Sequence, residues 1–177
     1  MSKALVTLPL QLVCQLVIRG AFDTGNTQCV VNSTWPDDNS QLVPAGYTAF
    51  SDIGVAYKYH NYSRNWNLAR KDCNLEGAHL AVIDSKKKLD IAMSLKDPMS
   101  SVHVGVHRFF DKSEWVSGIT GLSVLSMPWT SITNEGTDEY NCVTLWYDGR
   151  GVCADDCNSS RKFICELPLI MNEETRP

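Results

Sequence analysis

The chain has 177 residues, of which 44% are hydrophobic, and a formal net charge of −4. This length and apolar content suit one folded domain with a core of its own and short extensions. The small net charge, without a basic stripe interleaved with aromatic residues, argues against nucleic acid or a strongly anionic membrane as the main partner.

Residues 1–20 predict a secretory signal peptide. Lys3 supplies a positive start, and the mostly apolar run 4–18 is shorter than a typical membrane span. Arg19 ends this run, so we expect cleavage near residues 20–21 and a secreted, extracellular protein. A buried N-terminal strand or helix is the alternative, and no later stretch is long and apolar enough to span a membrane.

Three sequons for N-glycosylation agree with export, at Asn32, Asn61 and Asn158. Removal of Cys14 with the signal peptide leaves an even number of cysteines, which in a secreted chain predicts disulfides. Zinc ligands usually come as two close Cys-x-x-Cys pairs, which the sequence lacks, so we predict no metal site of that kind. The six remaining cysteines are Cys29, Cys73, Cys142, Cys153, Cys157 and Cys165.

The first elements of the domain follow a polar segment. Residues 21–45 are rich in Gly, Asn, Asp, Pro and Ser without periodicity and predict an N-terminal extension. Alternation over residues 55–59 predicts a half-buried strand. A helix should then begin at Ser63 as N-cap and stop at Gly77.

One face of this first helix is predicted to be buried, because Trp66, Ala69 and Cys73 lie three and four residues apart. Residues 80–83 then predict a short buried strand. Ser85 is the predicted N-cap of a second helix that extends to Leu95, since Pro98 bars its extension. Its inner face is formed by Leu89, Ala92 and Met93.

Three lysines, Lys86, Lys87 and Lys88, occupy the first turn of the second helix, where cations oppose the helix dipole. A solvated surface patch is the simpler interpretation, and contact with phosphate groups of an anionic glycolipid is the alternative.

The second half of the chain predicts short strands around a long loop. Residues 103–107 alternate like a strand, and Trp115 begins another. Residues 117–141 are loop-like, and a loop of that length in a compact domain is usually functional. Residues 143–147 and 161–166 predict the closing strands, with a turn at Asp148-Gly149. Two helices followed by several short strands indicate an α+β fold.

Nothing in the sequence nominates an enzyme. His103 and His107 share a strand face but are about 13 Å apart at ~3.3 Å per residue, which is too far for one metal ion. We expect structural roles for these and for His60 and His79. No Gly-x-Ser-x-Gly nucleophile string is present, and paired carboxylates occur only in loop sequence.

A set of ordered motifs across residues 46–168 resembles the C-type lectin-like domain family. The motifs are Trp66-x-x-Ala69-x-x-x-Cys73, Gly77-x-x-Leu80-Ala-x-Ile83-x-Ser85, Val104-Gly-Val106, Trp115, Asn141-Cys142-Val and Phe163-Ile-Cys165-Glu. Gly105-Val-His107 before Trp115 is similar to the insect hemolymph lipopolysaccharide-binding branch. The resemblance implies a two-sheet body with two flanking helices and a long ligand loop, and it leaves residues 169–177 as a tail.

The resemblance also implies a long-range disulfide Cys73–Cys165 and a local one, Cys142–Cys157. Cys29 and Cys153 are then left over. We predict that they pair with each other and tie the extension to the binding edge; a disulfide-linked dimer is the alternative.

Sugar-binding members of the family hold calcium with Glu-Pro-Asn or Gln-Pro-Asp in the long loop and with Trp-Asn-Asp before the third cysteine. Here the latter positions are Val152, Cys153 and Ala154, which offer no oxygen side chain. We therefore expect no cofactor and no calcium-dependent site of the usual kind. Nearby acids, among them Asp156, either form a different cation site or are solvated loop acids.

The predicted function is carbohydrate or lipopolysaccharide binding in innate immunity, through the loop 117–141 and the segment 148–157. Trp129 is a candidate for ligand contact with a core role as the open alternative, and Trp146 is expected in the core. The second hypothesis is a protein-binding module without sugar recognition, such as an adhesion factor, inhibitor or decoy. The predicted ligand-site residues are Trp129, Asn134, Glu135, Asp138, Glu139, Asn141, Asp148 and Asp155.

Overall fold

The structure is a computed structural model, and it describes residues 43–131 and 138–170. The predicted signal peptide, nearly all of the predicted extension, Cys29, Asn32 and the end of the tail lie outside these residues. In chain order the elements are β1 (Thr48–Phe50), β2 (Val55–Arg64), α1 (Trp66–Leu75), β3 (His79–Leu80), α2 (Lys86–Leu95), β4 (Val102–His107), β5 (Val116–Ser117), β6 (Cys142–Leu145), β7 (Val152–Asp155) and β8 (Arg161–Pro168).

The strands form a mainly antiparallel sheet with the order β1-β2-β8-β4-β6-β7, while β3 pairs with β8 and β5 with β4. The pairing of β4 with β8 is parallel, so the C-terminal strand runs through the middle of the sheet beside the central strand β4. The predicted α+β class is confirmed. Among the described residues, neither helix is long and apolar enough to cross a membrane.

Helix α1 begins two residues later than predicted. Strand β2 continues to Arg64, where it still pairs with β8, so Ser63 lies in the strand and cannot cap the helix. Asn65 is the N-cap instead, and its side chain accepts a hydrogen bond from the backbone N–H of Leu68 at 2.9 Å. The predicted cap was wrong because strand pairing across the sheet decided where the helix begins.

The buried face of α1 is the predicted one, formed by Trp66, Ala69 and Cys73. The Trp66 indole N–H donates to the carbonyl of Val104 at 2.8 Å, which ties the helix to the central strand β4. Gly77 directly follows the helix C-cap with a φ of 75°, a left-handed conformation that glycine adopts without a steric penalty.

Helix α2 has the predicted bounds. The hydroxyl of Ser85 accepts a hydrogen bond from the backbone N–H of Lys88 at 3.3 Å, and Leu89 and Ala92 are buried. Met93 is partly buried against the same core. The predicted strand 80–83 is shorter than expected: β3 ends at Leu80, although the next three residues remain buried.

Both disulfides implied by the family resemblance are present, Cys73–Cys165 and Cys142–Cys157. Among the described residues Cys153, in strand β7, has no disulfide partner and is 1% exposed. Cys29 lies outside the described residues, so its predicted pairing with Cys153 stays a prediction, as does the alternative of a disulfide-linked dimer. In the sheet Cys153 pairs with Thr144, and its sulfur lies 3.4 Å from the Thr144 hydroxyl.

Candidate ligand-binding pocket

The segment that replaces Trp-Asn-Asp lies inside the sheet. Val152, Cys153 and Ala154 are 0%, 1% and 2% exposed, and they pair along β6 in antiparallel register. Gly151, with a φ of +145°, precedes them, and a Cβ atom there would lie 2.1 Å from the Pro128 carbonyl oxygen. The backbone of the long loop therefore packs directly on this segment. These three residues have no side-chain oxygen, and they are also buried.

A polar pocket opens next to the Cys142–Cys157 disulfide, and its lining includes both sequence neighbours of Cys157. Register pairs Cys142 with Asp155, so the residues just before β6 lie opposite those just after β7. The antiparallel hairpin thereby brings together two short stretches of polar chain around a cavity of about 610 Å³. The candidate pocket is lined by Glu139, Tyr140, Asp155, Asp156, Asn158, Ser159 and Arg161.

One wall of the candidate pocket is held by an ion pair with two contacts. The Arg161 Nε and Nη2 atoms lie 2.9 and 3.4 Å from the two carboxylate oxygens of Asp155, which is 8% exposed. The same carboxylate accepts the backbone N–H of Asp156 at 2.9 Å. Asp155 is thus a predicted site residue that braces the pocket, while the half-buried Arg161 presents donors to it.

The next side chains form a tight turn. One carboxylate oxygen of Asp156 accepts both the backbone N–H of Asn158, at 2.9 Å, and its side-chain amide, at 3.3 Å. The backbone N–H of Ser159 donates to the Asp156 carbonyl at 3.0 Å. Together with the neighbouring disulfide at Cys157, these bonds restrict the rim of the pocket, which suits a preorganised binding surface.

A buried histidine supports the floor beneath this turn. The His103 Nε2 atom lies 2.9 Å from the carbonyl oxygen of Ser159, and its Nδ1 atom is buried without a partner among the described residues. Because a carbonyl only accepts, Nε2 carries the proton and donates. Burial lowers the pKa of His103, so the ring is neutral near pH 7.

Of the predicted site residues that the structure describes, Glu139 and Asp155 line the candidate pocket and the others lie outside it. Asp138 is exposed beside Lys112, with 3.8 Å between the charged atoms, and Asp148 pairs with Arg150 in the β6–β7 turn. Asn141 lies directly before β6 and donates to the Asp138 carbonyl at 3.0 Å, and its buried amide oxygen has no partner among the described residues. Asn134 and Glu135 are outside the described residues.

Sequence reasoning did not select Tyr140, Ser159 and Arg161, and it selected Asn158 only as a sequon. Arg161 could have been found from its position relative to Asp155. The two residues have opposite charges and flank a short loop that contains the disulfide-bonded Cys157, and opposite charges at two strand ends commonly face each other.

Comparison with known proteins decides the family. The family model for the lectin C-type domain matches residues 62–167, well over half of the chain. The chain belongs to the C-type lectin domain family. Members of this family are generally binding proteins rather than enzymes.

Two insect proteins are among the relatives of this C-type lectin domain. C-type lectin 37Db of Drosophila melanogaster is 27% identical over 128 residues, which cover 70% of this chain and 85% of the relative. A hemolymph lipopolysaccharide-binding protein of Periplaneta americana is 27% identical over 149 residues, covering 76% of this chain and 57% of the relative. The chain therefore spans little more than half of the cockroach protein.

Two solved structures share the fold. The carbohydrate-recognition domain of mouse scavenger receptor C-type lectin has a TM-score of 0.63 at 20% identity, covering 72% of this chain and 99% of that one. A calcium-independent type II antifreeze protein has a TM-score of 0.65 at 21% identity, covering 73% and 96%. At these identities the likeness establishes the C-type lectin fold alone.

Trp129 and Trp146 differ in their packing, because within the described residues Trp129 contacts a hydrophobic core cluster and Trp146 belongs to none. The ring of Trp129 is partly buried, lies 5.3 Å from that of Trp115 and packs against the main hydrophobic core. Trp146 is partly buried, and its indole nitrogen has no partner among the described residues. The structure thus favours the core alternative for Trp129.

The three lysines of α2 are each beside an acid. Lys86 lies 2.6 Å from Asp90 and Lys87 lies 2.9 Å from Asp52. Lys88 approaches Asp84 at 3.3 Å and the buried Glu166 at 3.8 Å. This pairing favours the interpretation as a solvated surface patch, because each positive charge already has a neighbour of opposite sign.

A second cavity of about 560 Å³, which we call the apolar groove, lies between the start of α2 and residues 117–126. Its floor includes the ion pair of Lys88 and Glu166. Three aliphatic side chains line it while exposed to solvent, Ile119 at 49%, Leu122 at 70% and Leu125 at 94%.

A metal cluster is not supported within residues 43–131 and 138–170. Ligand-type atoms of His60, Glu76 and Cys165 lie within 4.8 Å of one another, but the sulfur of Cys165 is bound in the long disulfide. A disulfide sulfur is not the thiolate that binds metal ions.

Proposed function

We propose that this C-type lectin domain is a secreted recognition protein of innate immunity that binds a microbial glycan or lipopolysaccharide in the candidate pocket. The observation that carries the proposal is the lining of that pocket. Arg161 offers donors, Asp156 and Glu139 offer acceptors, and Asn158 offers both. Such a mixed set suits sugar hydroxyls, which donate and accept at the same time.

Binding is proposed to proceed without calcium in the position usual for the family. Calcium requires six to eight oxygen ligands at about 2.3–2.6 Å. Val152, Cys153 and Ala154 supply no side-chain oxygen there and are buried, so these residues do not fit the ion. The relative from Periplaneta americana, described as lipopolysaccharide-binding, supports the choice of ligand class.

The experiment is a glycan-array and lipopolysaccharide binding assay on the full protein produced without N-glycans, with and without EDTA. We expect binding that persists in EDTA. Glu139→Ala should weaken it about tenfold or more, because a hydrogen bond to a charged group contributes about 1.5–3 kcal/mol. Asp90→Ala is the matched control, an exposed acid on α2 remote in sequence from the lining residues.

The outcomes separate the parts of the proposal. Binding that EDTA abolishes would overturn the calcium-independent mechanism. Binding that Glu139→Ala leaves unchanged would place the ligand elsewhere on the domain.

A second candidate function, a protein-binding module without sugar recognition, is favoured by the apolar groove. Exposed aliphatic clusters on soluble domains commonly mark interaction sites. Absence of glycan binding in either buffer, together with a co-purifying protein that Leu125→Asp releases, would favour this candidate over the first.

A further inference from the structure

We propose that N-glycosylation of Asn158 closes the candidate pocket, so that the modified protein carries its own sugar where an external glycan would bind. The closure follows from where Asn158 lies, and only its consequence for ligand binding rests on the proposed function. The pocket is then open in copies of the chain that lack this modification.

The position of the acceptor atom carries the inference. Asn158 is exposed and lines the candidate pocket, and its sequon continues through Ser159 and Ser160. The side-chain amide nitrogen, to which an N-glycan is attached, lies 3.3 Å from a carboxylate oxygen of Asp156. The first sugar therefore starts within the lining of the pocket rather than on open surface.

Glycosylation is compatible with the turn that presents Asn158. The modified amide nitrogen keeps one N–H, so it is still able to donate to Asp156. The backbone N–H of Asn158 also donates to the same oxygen, at 2.9 Å, and attachment of a sugar does not affect this bond. The turn holds the attachment point at the rim, and with it the first sugars.

The pocket has the size and the chemistry to hold those sugars. Its volume of about 610 Å³ lies within the usual range of small-molecule sites. The donors and acceptors proposed to bind an external glycan are equally available to an attached one. A short tether gives an effective concentration on the order of millimolar, so the attached sugar outcompetes weak external ligands.

The other described sequon provides the contrast. Asn61 is exposed near the end of β2 and lines neither the candidate pocket nor the apolar groove. A glycan at Asn61 therefore leaves the pocket open. A glycan at Asn158 is thus proposed to close the pocket, whereas a glycan at Asn61 is not.

The test compares the wild-type chain with Ser160→Ala and Ser63→Ala, each expressed at full length in insect cells. Both substitutions remove the hydroxyl residue of one sequon, and Ser160 is exposed and does not line the pocket. Peptide mass mapping measures occupancy at Asn158 and Asn61. Carbodiimide labelling of carboxylates then reports access to Glu139, with Asp90 as the reference acid.

We expect a glycan at Asn158 in the wild type, and labelling of Glu139 that rises about threefold or more in Ser160→Ala but not in Ser63→Ala. Labelling of Asp90 should stay constant in all three proteins. An unmodified Asn158, or equal labelling of Glu139 in wild type and Ser160→Ala, overturns the proposal.

A separate readout tests the proposed function. If Ser160→Ala opens the pocket to labelling and also gains glycan or lipopolysaccharide binding, both proposals are supported. If labelling rises while no external glycan binds, closure by Asn158 stands and glycan recognition in this pocket is wrong.

Discussion

The candidate pocket and the apolar groove differ in how their charges are satisfied. Beside the groove, Lys86, Lys87 and Lys88 each have an acidic neighbour. In the pocket the ion pair is Asp155 with Arg161, while Glu139 and Asp156 have no ion-pair partner among the described residues. Charges that the fold already neutralises serve the fold, and those left at a cavity rim are available to a ligand.

The largest effect should come from the disulfide that pins the pocket. Replacing Cys142 and Cys157 together by alanine opens a loop with a sequence separation of 15, which should lower the free energy of unfolding by about 3 kcal/mol. Urea unfolding measures this loss. Leu122→Ser in the groove is the control and should change it by less than about 0.5 kcal/mol, because that side chain is largely exposed.

Removal of the pocket ion pair should have the next largest effect. Arg161→Met leaves the buried Asp155 carboxylate without its partner, which should lower the free energy of unfolding by about 2 kcal/mol. The value is below that for a fully buried pair because the Arg161 side chain is 34% exposed. Thermal or urea unfolding tests this, and an unchanged midpoint would contradict the structural role given to the pair.

The pocket floor and the groove floor should respond to pH in opposite directions. Burial lowers the pKa of His103 below its usual value near 6.5, so its contribution to stability is complete above that pH and declines as the pH falls through the folded-state pKa. Burial raises the pKa of Glu166 above its usual 4.5, so stability from that group increases as the pH falls toward 4.5.

Urea unfolding between pH 7.5 and 4.5 checks both signs. His103→Gln should reduce the decrease in the free energy of unfolding that accompanies acidification. Part of the decrease should remain, because burial also lowers the pKa values of His60 and His107. Glu166→Gln should steepen the loss, because it removes the opposing contribution. If the free energy of unfolding of both variants depends on pH as that of the wild type does, these assignments are contradicted.

The smallest effect is expected on the groove side, at an exposed ion pair. Lys87→Met removes the contact with Asp52, and both side chains are more than half exposed. The free energy of unfolding should change by about 0.5 kcal/mol or less. Lipopolysaccharide binding should also be unchanged, and weaker binding would restore a role for the three lysines in recognition of phosphate groups.

Sequence patterns determined the local elements that depend on neighbouring residues. Ser85 begins α2, the spacing of Trp66, Ala69 and Cys73 identifies the buried face of α1, and Gly77 follows its end. Each of these depends on side chains within a few residues of one another. The ordered motifs identified the family, and with it both disulfides.

Long-range pairing decided what the sequence alone left open. Strand β2 extends through Ser63 because β8 pairs with it, so the cap of α1 moved to Asn65. Strand pairing likewise decided the surroundings of Cys153, which lies beside Thr144 in the sheet with 1% of its surface exposed. The cysteine count by itself contains no information on that burial.

The pocket itself is a product of tertiary structure. Glu139 and Arg161 are far apart in sequence, and they line one cavity because antiparallel register pairs Cys142 with Asp155. The residue types alone determined that this C-type lectin domain lacks side-chain oxygens at positions 152–154. Only the folded sheet decided that those positions are buried while the polar groups across the short disulfide face solvent, because strand register sets which side chains meet.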